Sequence, residues 1–445
     1  MNNVSLSVPL AAMLCAFLFC GCQTYHPRPL PATPDLLRSP ALPAPSKNFG
    51  LGELKPRRFP TNGLDELAAV TLAVYNNPDL KAARMELGVA NAQLVEAGLL
   101  PDPQVSGGVG KSPKFVGYNI SLNEDLQALI TRGAGKASAR AHARQVHLDI
   151  LWQEYQVAEK AEELFIECRA DEEIGGILTN VRDMLDFRYR QDEVGLQQGG
   201  VSAVTASTDL AALAEAGKNL SREELDANQT RHDLNQLLGL EPDVHLRLIG
   251  DSPAHPISGQ EFEADLSSVS RRRADLLALQ AGYRSQEQTL RKAVLAQFPS
   301  VSAGVEQARD PVEGVNTIGL NVSVTLPLFN RNQGQIDIQK ATRAWLYQDY
   351  QARLDQAAGD ASKVWNASKI ISRRLETVQA SLPALEQSAT AARREFKQGD
   401  LDLATYITMN LNLATEQEEA IRLQVSMAQA QSALQILLGL PLNDP

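Results

Sequence analysis

The chain has 445 residues, and 42 lysines and arginines stand against 53 aspartates and glutamates, giving a formal charge of −11 at pH 7. Nucleic-acid binding requires a basic surface, so this balance excludes nucleic acid as the expected partner. Aromatic residues make up only 5% of the chain, which favours long helices over a core filled with large rings.

The N-terminus has the pattern of a processing segment. Residues 6–19 are almost wholly apolar, too short a run to cross about 30 Å of hydrocarbon as a helix but typical of a signal peptide. The run ends in Phe19-Cys20-Gly21-Cys22, which resembles a bacterial lipobox. We therefore predict a lipoprotein signal peptide over 1–21 and a lipid on Cys22. The alternative is an ordinary cleaved signal with an unmodified Cys22.

A proline-rich segment follows the cysteine. Residues 22–63 contain nine prolines, a composition that cannot build a helix and predicts an extended N-terminal tether. The residue after the cysteine is Gln23 rather than aspartate, and the resemblance to lipoproteins then implies sorting to the outer membrane.

The rest of the chain contains one unit twice. Matching motifs recur at offsets of 196 and then 200 residues; they are Asp79-Leu80 with Asp275-Leu276, and Leu237-Leu238-Gly239-Leu240 with Leu437-Leu438-Gly439-Leu440. We assign 64–245 to the first repeat, 246–270 to a linker and 271–441 to the second repeat. The four additional residues of the second copy are expected in its longer hairpin loop.

Each repeat is predicted to form a helix, a β-hairpin and a long helical pair. The strands are expected at about 104–110 and 115–123, and at about 300–307 and 316–326. In the last strand, apolar and small polar residues alternate strictly, from Thr317 to Leu326. The fold class is therefore mainly α with a small β part.

The strands allow two interpretations. They could be half-buried strands of a soluble sheet, but their polar positions carry small residues rather than lysine or glutamate, which suits a water-filled lumen. Outer-membrane barrels show this alternation, apolar outside and polar inside. Four strands cannot close a barrel, and open edges are excluded in lipid. We therefore expect three copies to form a twelve-stranded transmembrane β-barrel.

Long helices are expected beside these strands. No proline occurs between Lys114 and Glu241, and a helix from about Gly135 to Leu196 would reach roughly 90 Å. In the second copy, apolar residues follow a 4-3 spacing from Ile407 to Ala428, interrupted by Glu418, as in a coiled coil. Pro383 is expected to bend or break its helix.

Three motifs carry a family resemblance. They are Asn77-Pro78-Asp79-Leu80, Gly98-Leu99-Leu100-Pro101-Asp102-Pro103, and Leu326-Pro327-Leu328-Phe329-Asn330-Arg331-Asn332-Gln333-Gly334. The mature chain resembles the TolC-type outer membrane factor family, and most of all the CzcC branch that serves heavy-metal pumps. The resemblance implies a homotrimer with a barrel in outer-membrane lipid and a periplasmic α-helical barrel. It also implies two protein partners, a periplasmic adaptor (membrane fusion) protein and an inner-membrane pump of the RND type.

The same resemblance assigns the helical turns to the periplasmic tip, where the aperture and the adaptor contact are expected. The residues are Gly199, Ser202 and Thr205 in the first copy, and Gly399, Asp400, Asp402 and Thr405 in the second. Rings of carboxylates from Asp400 and Asp402 would attract cations. Alternatively, the two aspartates cap the following helix.

The function expected from these features is passive export, with heavy-metal cations as the expected cargo. Drugs, small organic compounds and type I secreted polypeptides are alternative cargoes, and a coiled-coil scaffold lipoprotein without a pore is the alternative of another class. No catalytic motif or cofactor site is present in the sequence, and Arg271-Arg272-Arg273 is interpreted as a solvated helix end. The scattered histidines, including His142 and His147, predict no metal site.

Overall fold

The computed structural model describes residues 24–40, 63–113, 116–250 and 258–441. The predicted signal peptide at 1–21 and the predicted lipidation of Cys22 lie outside these ranges. The chain comprises two units, one up to Leu36 and one from Leu37 onward. Within the first unit, residues 24–36 form no helix or strand.

Within the described residues of the second unit, eight helices and four strands follow one another. In chain order they are α1 (Glu66–Asn76), α2 (Pro78–Glu96), β1 (Gln104–Lys111), β2 (Val116–Asp125), α3 (Gln127–Gln197), α4 (Ala203–Leu237), α5 (Gly259–Arg272), α6 (Ala274–Leu295), β3 (Ser300–Arg309), β4 (Asn316–Thr325), α7 (Gln333–Gln398) and α8 (Leu403–Leu437).

Polar side chains fix the start of the first two helices. Asp65 caps α1 by accepting a hydrogen bond from the Ala68 N–H at 2.8 Å. Asn77 caps α2 through the Leu80 N–H at 3.0 Å, and Pro78 occupies the first turn, where its missing N–H costs nothing. The Asn-Pro-Asp-Leu motif is thus a helix start. Helix α1, which the sequence did not predict, is buried along most of its length.

Helix α3 is the longest element of the structure. Its 71 residues span about 107 Å, more than the predicted 90 Å, because it begins at Gln127 and includes both Gly133 and Gly135. Helix α7 runs for 66 residues and includes Pro383, so of the predicted bend or break, the break is wrong. Proline removes the hydrogen bond to the Gln379 carbonyl, but both residues are exposed and water can replace the donor.

The four strands form one antiparallel sheet in the order β1-β2-β3-β4. Gln104 and Ser300 open the first strand of each hairpin, 196 residues apart, whereas Asp125 and Thr325 close the second strands, 200 residues apart. The four additional residues of the second copy therefore lie in its hairpin. They divide between a longer strand β3 and a longer connection.

The helices next to the sheet follow the same order as the strands. Helix α3 packs between α2 and α6, and α6 packs against α7, so that each strand neighbours its own helix. Further along α3, α4 and α8 replace α2 and α6 as its neighbours. In the described part of the chain, β1 and α2 form one edge of this arrangement, and β4 and α7 form the other.

A buried arginine corrects the interpretation of the three-arginine run. Arg271 and Arg272 are exposed at the end of α5, as expected, but Arg273 is only 3% exposed. Its guanidinium bonds Asp275 at 2.8 and 3.1 Å and lies 4.7 Å from the centre of the Trp152 ring. Helix α5 itself occupies Gly259–Arg272, most of which the sequence assigned to a linker.

Candidate functional site: a two-faced sheet and paired helical turns

One face of the sheet is mainly apolar and exposed, and its charged residues, Lys111, Glu124 and Arg309, lie at or next to strand ends. The strand register aligns Val105, Leu122, Val305 and Leu320 in one row across all four strands. Leu320 is 87% exposed, although leucine is usually buried in a protein folded in water. The other exposed apolar residues on this face are Val109, Val116, Ile120, Ile318, Val322 and Val324. A mainly apolar exposed surface of this size marks contact with a partner or a membrane, although Gln307 interrupts it between Ile120 and Ile318.

The opposite face is polar and made of small side chains. The register aligns Ser106, Ser121 and Gly319 in one row with Glu306. Neighbouring side chains bond one another: the Ser106 and Ser121 hydroxyls are 2.7 Å apart, and the Asn123 amide nitrogen lies 3.1 Å from the Ser121 Oγ. These contacts give the polar face a hydrogen-bonded surface that water can wet.

Close packing of the polar face requires a glycine. A Cβ at position 304 would lie 2.2 Å from Oδ1 of Asn123 and 2.4 Å from the Leu122 carbonyl oxygen. The Asn123 side chain therefore lies over Gly304, where it also accepts a hydrogen bond from the Asn321 amide at 3.1 Å. Because Gly304 has no side chain, Asn123 of β2 can reach across β3 and bond Asn321 of β4.

Both edges of the sheet are open. In the part of the chain that the structure describes, β1 pairs only with β2 and β4 pairs only with β3. The helices at the same edges carry exposed apolar residues, with Met85 and Val89 on α2 and Trp345 and Tyr347 on α7. An open edge with exposed apolar flanks is a template for pairing with another chain.

The two helical turns lie at the same end of the bundle. Leu403, the first residue of α8, packs in one apolar cluster with Leu185 of α3 and Ala216 of α4. Phe396 and Tyr406 stack across the second turn with their ring centres 4.8 Å apart. The structure therefore brings together the two sets of residues that the resemblance assigns to the tip.

The two turns use the same local chemistry. Gly199 and Gly399 adopt positive φ angles of 74° and 85°, which other residues rarely accept. After each glycine, an N-cap residue accepts a hydrogen bond from the N–H three positions later; the pairs are Ser202 with Thr205 at 3.1 Å, and Asp402 with Thr405 at 2.9 Å.

Asp402 is thus the N-cap of α8, whereas Asp400 is exposed and lies in the turn before it. The Thr405 hydroxyl, at 2.7 Å, and the Thr405 N–H together lower the pKa of Asp402 below its usual value, because both stabilise the carboxylate. Asp402 therefore stays charged at neutral pH.

A second acidic group near the turns was not predicted from the sequence. Asp209 of α4 is buried and accepts a hydrogen bond from Arg188 Nε of α3 at 2.8 Å. A hydrogen bond with Asp209 raises the pKa of Asp192, and burial and the Asp209 charge add to the shift. Residues 188 and 192 are one helical turn apart and both face Asp209. No spacing rule relates them to a residue on another helix.

The described ranges contain neither a cluster of metal-binding side chains nor a membrane-spanning helix. In residues 24–40, 63–113, 116–250 and 258–441, no three or more His, Cys, Asp or Glu side chains form a group that could hold a metal ion. In the same ranges, every helix is too short or too polar to serve as a membrane span.

Comparison with known proteins places these features in context. Residues 266–440 match the family model described as "Outer membrane efflux protein". The chain is 22% identical over 348 residues to the cobalt-zinc-cadmium resistance protein CzcC of Cupriavidus metallidurans, covering 75% of this chain and 79% of the relative. The described fold is similar to the crystal structure of CusC, with a TM-score of 0.67 and 16% identity over 92% of this chain and 99% of that chain. It is also similar to the CmeC outer membrane channel of Campylobacter jejuni, with a TM-score of 0.68 and 17% identity over 90% of this chain and 94% of that chain.

Proposed function

We propose that this chain, whose residues 266–440 match the outer membrane efflux protein family, is the outer-membrane channel of a tripartite efflux system. It is a passive conduit without catalysis, through which solutes delivered by a pump leave the cell. The two-faced sheet with two open edges carries the proposal. A surface that is apolar on one side and wettable on the other fits a wall between lipid and water.

Open edges determine the assembly that this wall requires. Unpaired N–H and C=O groups on β1 and β4 cannot face hydrocarbon, and four strands are too few to close on themselves. Pairing β1 of one copy with β4 of the next closes a twelve-stranded barrel from a homotrimer. The exposed apolar residues of α2 and α7 would be covered in the same contact, which continues the barrel as a ring of helices.

The turn end of the helices is proposed as the contact for a periplasmic adaptor, which links the channel to an inner-membrane pump of the RND type. Helix α3, which is about 107 Å long, separates this end from the sheet, and this length suits a crossing of the periplasm. The residues at the contact are Gly199, Ser202, Thr205, Gly399, Asp400, Asp402 and Thr405. Cys22 is proposed as the lipid anchor, which mass spectrometry of the mature N-terminus would test.

Heavy-metal cations are the proposed cargo. The name of the relative CzcC refers to cobalt, zinc and cadmium resistance, and the acidic balance of this chain favours cations. Drugs or secreted polypeptides are the alternative cargoes. Deletion of the gene should lower the tolerated zinc or cadmium concentration in the host; unchanged metal tolerance together with increased drug sensitivity would refute the metal assignment and leave the channel standing.

Reconstitution in planar lipid bilayers tests the channel itself. The purified protein in detergent should be a trimer, and its addition to the bilayer should give discrete current steps. A scaffold lipoprotein without a pore would give no steps at any voltage. Deletion of residues 104–125, which removes the first hairpin, supplies the control, because the remaining two strands cannot close a twelve-stranded wall.

A further inference from the structure

The polar face of the sheet carries very little charge. Among the described residues of the four strands, only Asp125 and Glu306 place a charged side chain on this face. Asp125 lies at the end of β2, where its carboxylate accepts a hydrogen bond from the Gln127 N–H at 2.8 Å and so takes part in the start of α3. Glu306 lies in the middle of the sheet and has no such role.

The neighbours of Glu306 cannot neutralise it. Ser121 and Gly319 lie beside it in the adjacent strands, and Gly304 and Ala308 flank it on its own strand. None of these side chains carries a charge. Within the described ranges, the Glu306 carboxylate forms no hydrogen bond or ion pair. A carboxylate without a partner is costly to bury, so this one must face water.

We propose that Glu306 increases the preference of the barrel lumen for cations. The inference deepens the proposed function and rests on it, because three copies in a twelve-stranded barrel place three Glu306 carboxylates at one height. Its small neighbours leave this carboxylate as the longest charged group reaching inward there. Single-sign charge inside low-dielectric walls concentrates counter-ions.

The size of the effect follows from the barrel geometry. Twelve strands about 4.8 Å apart and tilted by about 40° give a backbone radius of roughly 12 Å. A glutamate side chain reaches about 4 Å inward, leaving the three carboxylates roughly 8 Å from the axis. With the dielectric constant of water and the screening of 0.1 M salt, the ring raises the cation concentration on the axis roughly threefold and lowers the anion concentration equally. In 1 M salt the effect falls to roughly 1.2-fold.

Reversal potentials in planar bilayers test this inference. With potassium chloride gradients near 0.1 M, Glu306→Gln should lower the cation-to-anion permeability ratio severalfold, and Glu306→Lys should invert it. Glu306→Asp keeps the charge and should keep the preference. Glu313→Gln is the matched control, because it removes the same charge from the exposed connection between β3 and β4 and should change the ratio little. Near 1 M salt, all variants should converge.

The outcomes separate this inference from the proposed function. If the wild-type protein gives no current steps, the channel proposal fails. If it conducts and Glu306→Gln retains the wild-type permeability ratio at 0.1 M salt, the channel stands and the role of Glu306 is refuted. Equal loss of preference in Glu306→Gln and Glu313→Gln would also refute it, because net charge rather than position would then set the ratio. Electrophoresis of unheated samples establishes that each variant is trimeric before its currents are compared.

Discussion

Leu320→Arg should prevent insertion of the proposed barrel into the membrane. Leu320 is the fifth residue of the ten in β4 and is 87% exposed on the apolar face, so the proposed barrel places it near the middle of the hydrocarbon. Arginine on the lipid side of a barrel costs about 2–4 kcal/mol at the bilayer midplane. Three copies would therefore cost about 6–12 kcal/mol per trimer, which is comparable to the whole stability of many proteins.

Gly319 provides the matched control, because it precedes Leu320 on the same strand and faces the polar side. A Cβ at this glycine meets no atom within 4 Å, so the arginine in Gly319→Arg can extend into water without displacing the sheet. We expect Gly319→Arg to fold and insert, and Leu320→Arg to accumulate outside the outer membrane. The assay measures the yield of heat-modifiable trimer in the outer-membrane fraction of cells. A second measurement uses protein that is refolded from urea into lipid vesicles. Equal yields from both variants would refute the assignment of the two faces.

Three further predictions concern the helices. Arg84→Met should lower the unfolding free energy by about 3–5 kcal/mol, because it removes the guanidinium that bonds the fully buried Glu154 at 2.9 Å. Adding Glu154→Leu should restore most of this loss. Thermal unfolding measures both effects. Glu159→Gln should stabilise the protein at pH 8 by on the order of 2 kcal/mol, because burial, followed by the nearby carboxylates of Glu163 and Glu162, raises the pKa of Glu159 to about 7. Ser202→Ala should weaken the start of α4 by about 1 kcal/mol and speed hydrogen exchange at the Thr205 amide, whereas Ser202→Asp should preserve the cap, as Asp402 does in the second copy.

Each of these predictions has a result that contradicts it. For the ion pair, the prediction is contradicted if the double variant is no more stable than Arg84→Met. The unpaired charge of Glu154 would then not be the cause of the lost stability. For Glu159, the raised pKa means that the native state keeps the proton of this carboxyl group to higher pH than the unfolded chain does. The penalty therefore grows from about pH 4.5 to about pH 7 and is absent below, so a benefit of Glu159→Gln that persists at pH 4 argues against it. For the cap, equal exchange rates in Ser202→Ala and Ser202→Asp would exclude the hydroxyl as the stabilising group.

The sequence predicted the elements whose pattern is local. Strict alternation identified the strands, motif offsets identified the repeat, and glycine followed by a capping residue identified both turns. The motifs also led to the family, and the comparisons confirm that resemblance. Helix α1 was not predicted, because its residues are apolar on all sides and therefore show no helical period. Helix α5 was not predicted either, because most of it lies in 246–270, which the sequence assigned to a linker.

Contacts between distant residues could not be predicted in this way. The burial of Arg273 depends on Trp152, which is far away in the chain and belongs to another helix. The contact of Asp192 with Asp209 likewise requires α3 and α4 to be packed in a particular register. Helix α7 passes through Pro383 because the freed carbonyl faces water, and exposure is a property of packing rather than of the proline itself.

The unequal hairpins have a consequence for the end of the proposed barrel that lies away from the helices. The connection between β1 and β2 spans 112–115, and the one between β3 and β4 spans 310–315 on a strand that is also longer by two residues. In a trimer, short and tall hairpins would alternate around the rim, so that it has threefold rather than sixfold symmetry. A protein that approaches this end of the proposed trimer would contact the three longer hairpins first, each of which carries Asp310 and Glu313.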